Sequence, residues 1–414
     1  MLSSTVNPIV FESYPDRGLQ AYSVVLGAWL ALFPASGLLN STGIFQAWIV
    51  VNQLHKYSEP QIAWIFSTFA FLFFFGGIQA GPIFDRYGPK YLFPTGACGL
   101  VVALLCTSFC TEEYYQFMLA FGCLGGLSSS IIWTTSIATL GHWFLQNRGL
   151  ATGLATTAGG IGGLCYPLAF SHLSRRIGFP WTLRCFALIT LLCFLASIPL
   201  LKTRLPANPT SRVLLDWKGF KDTRFTLTMM AIFILDWAVL VPPAYITTYT
   251  SSHGLSDLSP NILAILNSAS TLGRCLPGIV ADRVGRFNVM IICAILSTLS
   301  IFCLWLQAES NAAVVISFAV TYGFFSGTAF SLTPVCVAQL CKTEEYATRY
   351  GTAYGVVSFA TLAGVPLSGL VLGTSDGNHY TALVLFCGTA YAVSALLFIC
   401  AKGMSKDWRL LSIF

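Results

Sequence analysis

The segment Gly81–Lys90 reads Gly-Pro-Ile-Phe-Asp-Arg-Tyr-Gly-Pro-Lys, and a related string, Gly-Ile-Val-Ala-Asp-Arg-Val-Gly-Arg, returns at Gly278–Arg286. In both, a glycine stands four residues before an Asp-Arg pair and another glycine three residues after the aspartate. The two aspartates, Asp85 and Asp282, are 197 residues apart in a chain of 414. Each turn is flanked by apolar runs of membrane length. A charged turn repeated at half-length between such runs implies two similar halves. The glycines Gly81, Gly88 and Gly285 permit tight reversal and close helix approach. Asp85 is expected to pair with Arg86, Lys90 or basic groups of a neighbouring helix. Asp282, with Arg283 and Arg286, would do the same in the second copy.

Residues of the hydrophobic class make up 55% of the chain and charged residues only 9%, against about 25% charged in a soluble domain. Most of this surface needs lipid as its solvent. The apolar runs predict helices over Ala21–Val51, Ile62–Phe84, Tyr91–Cys110, Tyr114–Leu140, Gly149–Leu173 and Pro180–Leu201 in the first half. Arg224–Thr250, Pro260–Ala281, Phe287–Gln307, Ala312–Leu340, Thr348–Leu372 and Tyr380–Ala401 follow in the second. The expected fold is therefore all-α and membrane-integral, with twelve transmembrane helices in two six-helix pseudo-repeats. Its parts are a tail 1–20, a bundle 21–201, a linker 202–223, a bundle 224–401 and a tail 402–414. The start lacks the basic stretch and cleavage site of a signal peptide.

Twelve crossings put both ends on one face. That face would carry seventeen Lys and Arg residues, against Lys56, Arg175, Arg176 and Arg184 opposite, which predicts cytoplasmic termini. A second echo supports the duplication. Arg148-Gly-Leu-Ala-Thr-Gly153 opens the fifth helix and Arg349-Tyr-Gly-Thr-Ala-Tyr-Gly355 the eleventh. Small residues continue through Gly159, Gly160, Gly162 and Gly163, letting helices approach and slide. Arg148 joins the residues of the repeated turns as a candidate for conformational gating.

The pattern excludes several functions. The fourteen cysteines are scattered with no C-x-x-C, and no histidine spacing suits zinc, so no metal is expected. No phosphate-binding P-loop and no G-x-S-x-G elbow is present, which leaves no expected enzyme activity and no nucleotide cofactor. A net charge of +6 gives no case for nucleic acid. The expected partners are a small-molecule substrate and the bilayer, with the chain a monomer.

Ionisable groups inside helices carry the remaining information. Arg274 lies eight residues before Asp282, about 12 Å from the cytoplasmic turn, and Asp236 twelve residues after Arg224, about 18 Å deep. A charge at such depth costs about 2.5–3.5 kcal/mol on insertion scales, so it should face a cavity or a partner. The seventh and eighth helices are consecutive and antiparallel, so Asp236 and Arg274 are expected to pair. Further candidates for substrate or ion binding are Asn40, Tyr166, Tyr245, Asn267 and Tyr354, with Thr134 and Tyr322 as weaker ones.

The repeated turn resembles the loop between the second and third helices of major facilitator superfamily transporters. A narrower resemblance follows from Asn267-Ser-Ala-Ser-Thr-Leu-Gly-Arg274-Cys-Leu-Pro-Gly278, which leads into the turn Ala281–Asn288. With Val25–Ala28, Gly37–Gln46, Phe74–Lys90, His142–Gly153 and Gly178–Trp181, it is similar to fungal monocarboxylate-porter-like members. The resemblance implies carriage of small organic acids or neutral metabolites, as nutrient uptake or as export of biosynthetic products. Proton-coupled relatives carry an aspartate one turn before the arginine and a first-helix lysine; here Ser270 and Asn40 stand there. That departure argues against lactate-type symport, although proton drive is still the expectation for such a carrier. The expected function is secondary-active transport of an organic acid or aromatic metabolite by alternating access, directed outward. Uptake of a monocarboxylate or vitamin-like nutrient is the alternative, and a non-transporting sensor of the same fold is the alternative of another class. The expected site is the plasma membrane, with the vacuolar or another internal membrane as alternative.

Overall fold

The computed structural model describes residues 14–204, 216–217, 219–373 and 379–404. Most of the tail 1–20, linker residues 205–215 and 218, and the tail from 405 lie outside the described residues. No strand occurs among the described residues. Helices α1 (Leu19–Asn40), α2 (Thr42–Asn52), α3 (Glu59–Tyr87), α4 (Pro89–Phe109), α5 (Tyr114–Trp143) and α6 (Arg148–Ser197) form the first half. Helices α7 (Thr223–Ser252), α8 (Ser259–Val284), α9 (Arg286–Trp305), α10 (Ala312–Gln339), α11 (Tyr346–Gly373) and α12 (His379–Gly403) form the second. Ten helical stretches among the described residues are long and apolar enough to cross a membrane.

The structure corrects two expected boundaries. The first apolar run is two helices, interrupted at Ser41, whose hydroxyl bonds back to the Gly37 carbonyl at 2.7 Å. The expected gap between Leu173 and Pro180 is also nearly absent. Helical geometry persists from Arg148 to Ser197 except at Gly178, where φ is 79° and the chain turns. Pro180 favours this brevity, because its fixed φ suits the first turn of a helix, where a missing N–H costs little.

Both described ends lie on one face, called here the terminal face. The Asp16 amide donates to the Trp143 carbonyl at 3.3 Å, and Lys402 reaches Asn288 beside the second repeated turn. On the far face Lys56 pairs with Glu112, a contact that raises the lysine and lowers the glutamate from their ordinary pKa values. Within the halves, α1 packs on α6, and α7 on α12 and α11. Between them, α6 meets α8 and α3 meets α11. Leu188, Leu192 and Leu195 of α6 are 56–57% exposed, an outward apolar face suited to lipid.

Candidate functional site

The first turn of a helix leaves backbone N–H groups without partners and carries partial positive charge. At the seam between the halves, each repeated aspartate supplies that partner to the opposite half. Asp282, at the end of α8, accepts from the amides of Gly149 and Leu150 in α6, both at 2.8 Å. Asp85, at the end of α3, accepts at one oxygen from the Thr348 amide at 2.8 Å and the Thr348 hydroxyl at 2.6 Å, in α11. The expected pairing of Asp85 with Arg86 or Lys90 is thus corrected. Both cations are exposed and lie over their own neighbours, Tyr87 and Tyr91. A carboxylate buried against a helix start already has charge-matched donors, so solvent holds the cations elsewhere.

The turns themselves depend on Gly88 (φ 71°) and Gly285 (φ 107°), a left-handed region that a Cβ disfavours. A methyl on Gly81 would strike the Ala347 carbonyl, which lets α3 lie against the start of α11. Arg286 is 3.6 Å from Asp282 and reaches across to the Leu145 carbonyl, whereas Arg283 is exposed. Arg148 is buried and finishes α5, donating to Phe144 at 2.9 Å and Gly141 at 2.7 Å, with its guanidinium over Tyr346. Gly81, Asp85, Arg148, Asp282 and Arg286 thus meet along the seam at the terminal face, while Arg86, Lys90 and Arg283 stay exposed.

Above this layer lies an aromatic one. Trp133 of α5 donates to the Tyr350 hydroxyl at 2.6 Å, joining the halves. The ring centroids of Tyr350 and Tyr354 are 4.5 Å apart, and that of Phe74 is 5.5 Å from Tyr354. The Tyr354 hydroxyl is 2.6 Å from that of Thr333. Sequence reasoning missed Trp133 and Tyr350. The signal was present in Tyr346, Tyr350 and Tyr354, spaced by four and hence on one helix face.

Arg274 lies deeper, 4% exposed. One guanidinium nitrogen donates to the Thr156 carbonyl of α6 at 3.0 Å, and the group lies 4.6 Å over the Phe330 ring, while its Nε has no partner. Asn40 donates to the Gly159 carbonyl at 2.8 Å, and a methyl on Gly159 would meet both the Arg274 guanidinium and the Asn40 amide. The structure thus brings Arg274 and Asn40 together around one turn of α6. Asp236 is 8% exposed and accepts from the Thr361 hydroxyl at 2.7 Å.

The expected Asp236–Arg274 pair is absent: among the described residues neither takes part in an ion pair. The reason is packing. Residues 223–239 of α7, which carry Asp236, pack on α11 and α12, and only the part beyond Val241 packs on α8. Consecutive helices are not neighbours at this depth. Of the other candidates, Asn267 and Tyr245 are half-buried. Tyr166 packs between Phe33 and Phe186 inside the first half, and Tyr322 lies against Tyr391 inside the second. Thr134 is buried beside Gly77. No group of three or more His, Cys, Asp or Glu among the described residues is placed to hold a metal ion.

The sequence profile of the Major Facilitator Superfamily matches residues 28–278 and 262–407. Relatives include an MFS-type transporter of Ophiocordyceps sp., 33% identical over 96% of this chain and 88% of its own. An aspyridones efflux protein of Emericella nidulans is 33% identical over 96% and 82%. A riboflavin transporter of Saccharomyces cerevisiae is 32% identical over 96% and 81%. Among solved structures, a human organic anion transporter superposes with a TM-score of 0.72 at 16% identity, over 92% of this chain and all of its own.

Proposed function

This chain belongs to the major facilitator superfamily, and from that premise we propose that it is a secondary-active exporter of a small organic anion. Counting α1 and α2 as one crossing and α6 as two about Gly178 gives twelve, and an even number with the basic bias of the terminal face supports cytoplasmic termini. The closed terminal side is then the outward-facing stage of an alternating-access cycle, in a monomer of the plasma membrane. The observation that carries the substrate class is Arg274: a buried guanidinium with an unpartnered Nε and, among the described residues, no carboxylate in an ion pair with it. An unpaired charge at that depth is costly, and an arriving carboxylate supplies both the opposite charge and a matched pair of acceptors. Phe330 beneath the guanidinium and Asn40 beside it suit an anion attached to an aromatic or otherwise apolar body. The efflux-named relative supports the outward direction.

The test is reconstitution into proteoliposomes with a panel of labelled aromatic and aliphatic carboxylates under an imposed pH gradient. The reading expects carboxylate movement from the terminal side that neutral analogues do not share. Transport confined to neutral compounds would overturn it. The riboflavin-named relative favours a second reading, uptake of a vitamin-like nutrient, which the direction of flux in the same vesicles separates.

A further inference from the structure

A cavity of about 310 Å³ opens on the terminal face between α1, α6 and α8, away from Arg274. Its walls include Arg17, Tyr22, Asn147, Leu150, Ile279 and Arg283, and its carboxylate is Asp282. That carboxylate is already engaged by two backbone amides and Arg286. Neither Arg17 nor Arg283 makes a side-chain hydrogen bond or ion pair among the described residues. Two guanidiniums, one from each half, therefore converge on one space with no free anion between them.

Arg17 does not arrive there by default. Asp16 has φ 45° and Gly18 φ 107°, so the chain makes two left-handed steps around the arginine. The first is held by Asp16, whose Oδ1 accepts from the amides of Leu145, Gln146 and Asn147 at 2.9, 2.8 and 3.1 Å. The Asn147 side chain closes the loop by donating to the Asp16 carbonyl at 3.1 Å. Aspartate tolerates the left-handed region better than most residues, and four hydrogen bonds over-determine it here. The consequence is a backbone that delivers Arg17 to the seam, where its side chain lines the same cavity as Arg283.

We propose that this cavity binds a phosphate-bearing anion, with the two guanidiniums as its clamp. Guanidinium forks match phosphate oxygens in pairs, and the Asn147 amide and Tyr22 ring bound the same space. The location provides a source. Leu19 and Leu26 of α1 and Leu276 and Val280 of α8 are exposed by 92, 52, 48 and 48%, an apolar approach at the membrane surface. An acidic phospholipid can place its headgroup in the cavity and its acyl chains along those residues. Free phosphate has the same chemistry without the chains. Because Arg17 belongs to the first half and Arg283 to the second, the bound anion ties the terminal side shut and favours that state over the open one. The proposal rests on the membrane-carrier reading but not on its substrate.

The experiment uses the full chain in phosphatidylcholine nanodiscs, titrated with short-chain phosphatidylinositol phosphate and, separately, with inorganic phosphate. Binding is read by thermophoresis. Saturable binding of either probe is expected, with Arg17→Gln and Arg283→Gln each weakening it about fivefold and the double change about thirtyfold. The lysine pair, Arg17→Lys with Arg283→Lys, should weaken it less than the glutamine pair. Competition by inorganic phosphate at equal affinity assigns the site to the free ion, and its failure to compete assigns the site to lipid; either outcome supports the clamp. Binding that is unchanged in the double glutamine variant, or no saturable binding of either probe, overturns it. Size-exclusion profiles confirm folding of the variants, and loss of transport alone bears on the preceding proposal and not on this one.

Discussion

Replacing Asp282 by asparagine changes one oxygen into an amide nitrogen and removes a charge with little change in shape. Both carboxylate oxygens are in use, one on the Gly149 amide and one on the Leu150 amide. Asparagine can keep one of these bonds; its NH2 then faces a second N–H donor. The loss combines a charge-assisted bond at a mostly buried site with the helix-terminus attraction, together about 2–3 kcal/mol. All of it falls on the closed terminal side, because separation of α6 from α8 breaks both bonds in the native protein as well. The ratio of closed to open molecules should therefore fall by about thirty- to a hundred-and-fiftyfold. Spin labels at Tyr87 and Glu344, exposed on opposite halves of the terminal face, report this as a second, longer distance in pulsed EPR. An unchanged distance distribution would refute the cross-half cap. So would an equal shift in a Lys90→Gln control, which removes an exposed charge of the same face without touching the cap or the cavity beside it.

Asp85→Asn should open the seam less than Asp282→Asn in the same measurement, because both donors of Thr348 converge on one oxygen and the other has no partner. An amide oxygen can keep both bonds. Gly351→Ala drives a methyl into the Gly77 carbonyl and should destabilise the closed side by about 1–3 kcal/mol, seen as a lower melting temperature and a broader distance distribution. Arg274→Lys should reduce transport of a carboxylate about tenfold although the charge is retained, read as initial rate in proteoliposomes; unchanged rates would remove Arg274 from the site. Asp236→Asn and Arg274→Gln should add within about 0.5 kcal/mol when combined, and mutual rescue of folded protein in the double variant would restore the pairing rejected above.

The repeated turn was legible because its chemistry is local: Gly, Asp and Gly at fixed spacing specify a helix end and a left-handed reversal. Asp85's partner was not legible. It is a backbone amide and hydroxyl 263 residues away, and no side-chain type announces an N–H. The Asp236–Arg274 expectation failed for a related reason. Depth along a helix follows from counting residues, but the neighbour at that depth depends on packing, and α7 turns its Asp236 face to α11. Arg274 and Asn40 were separately identified as polar groups in apolar helices. Their meeting depends on Gly159, where a methyl group would strike both side chains. Asp16 lay in a stretch read as a tail, where a single acidic residue gives no sign of the three amides it collects.

The one-residue turn at Gly178 couples two structures of opposite character. The limb before it is fastened at the terminal face by Asp282, while the limb after it presents Leu188, Leu192 and Leu195 outward. With no slack between the limbs, tilting the first swings the second through the hydrocarbon around it. In the proposed alternating-access cycle the stiffness and thickness of the bilayer thereby enter the energy of opening, and the surrounding membrane acts as a mechanical load.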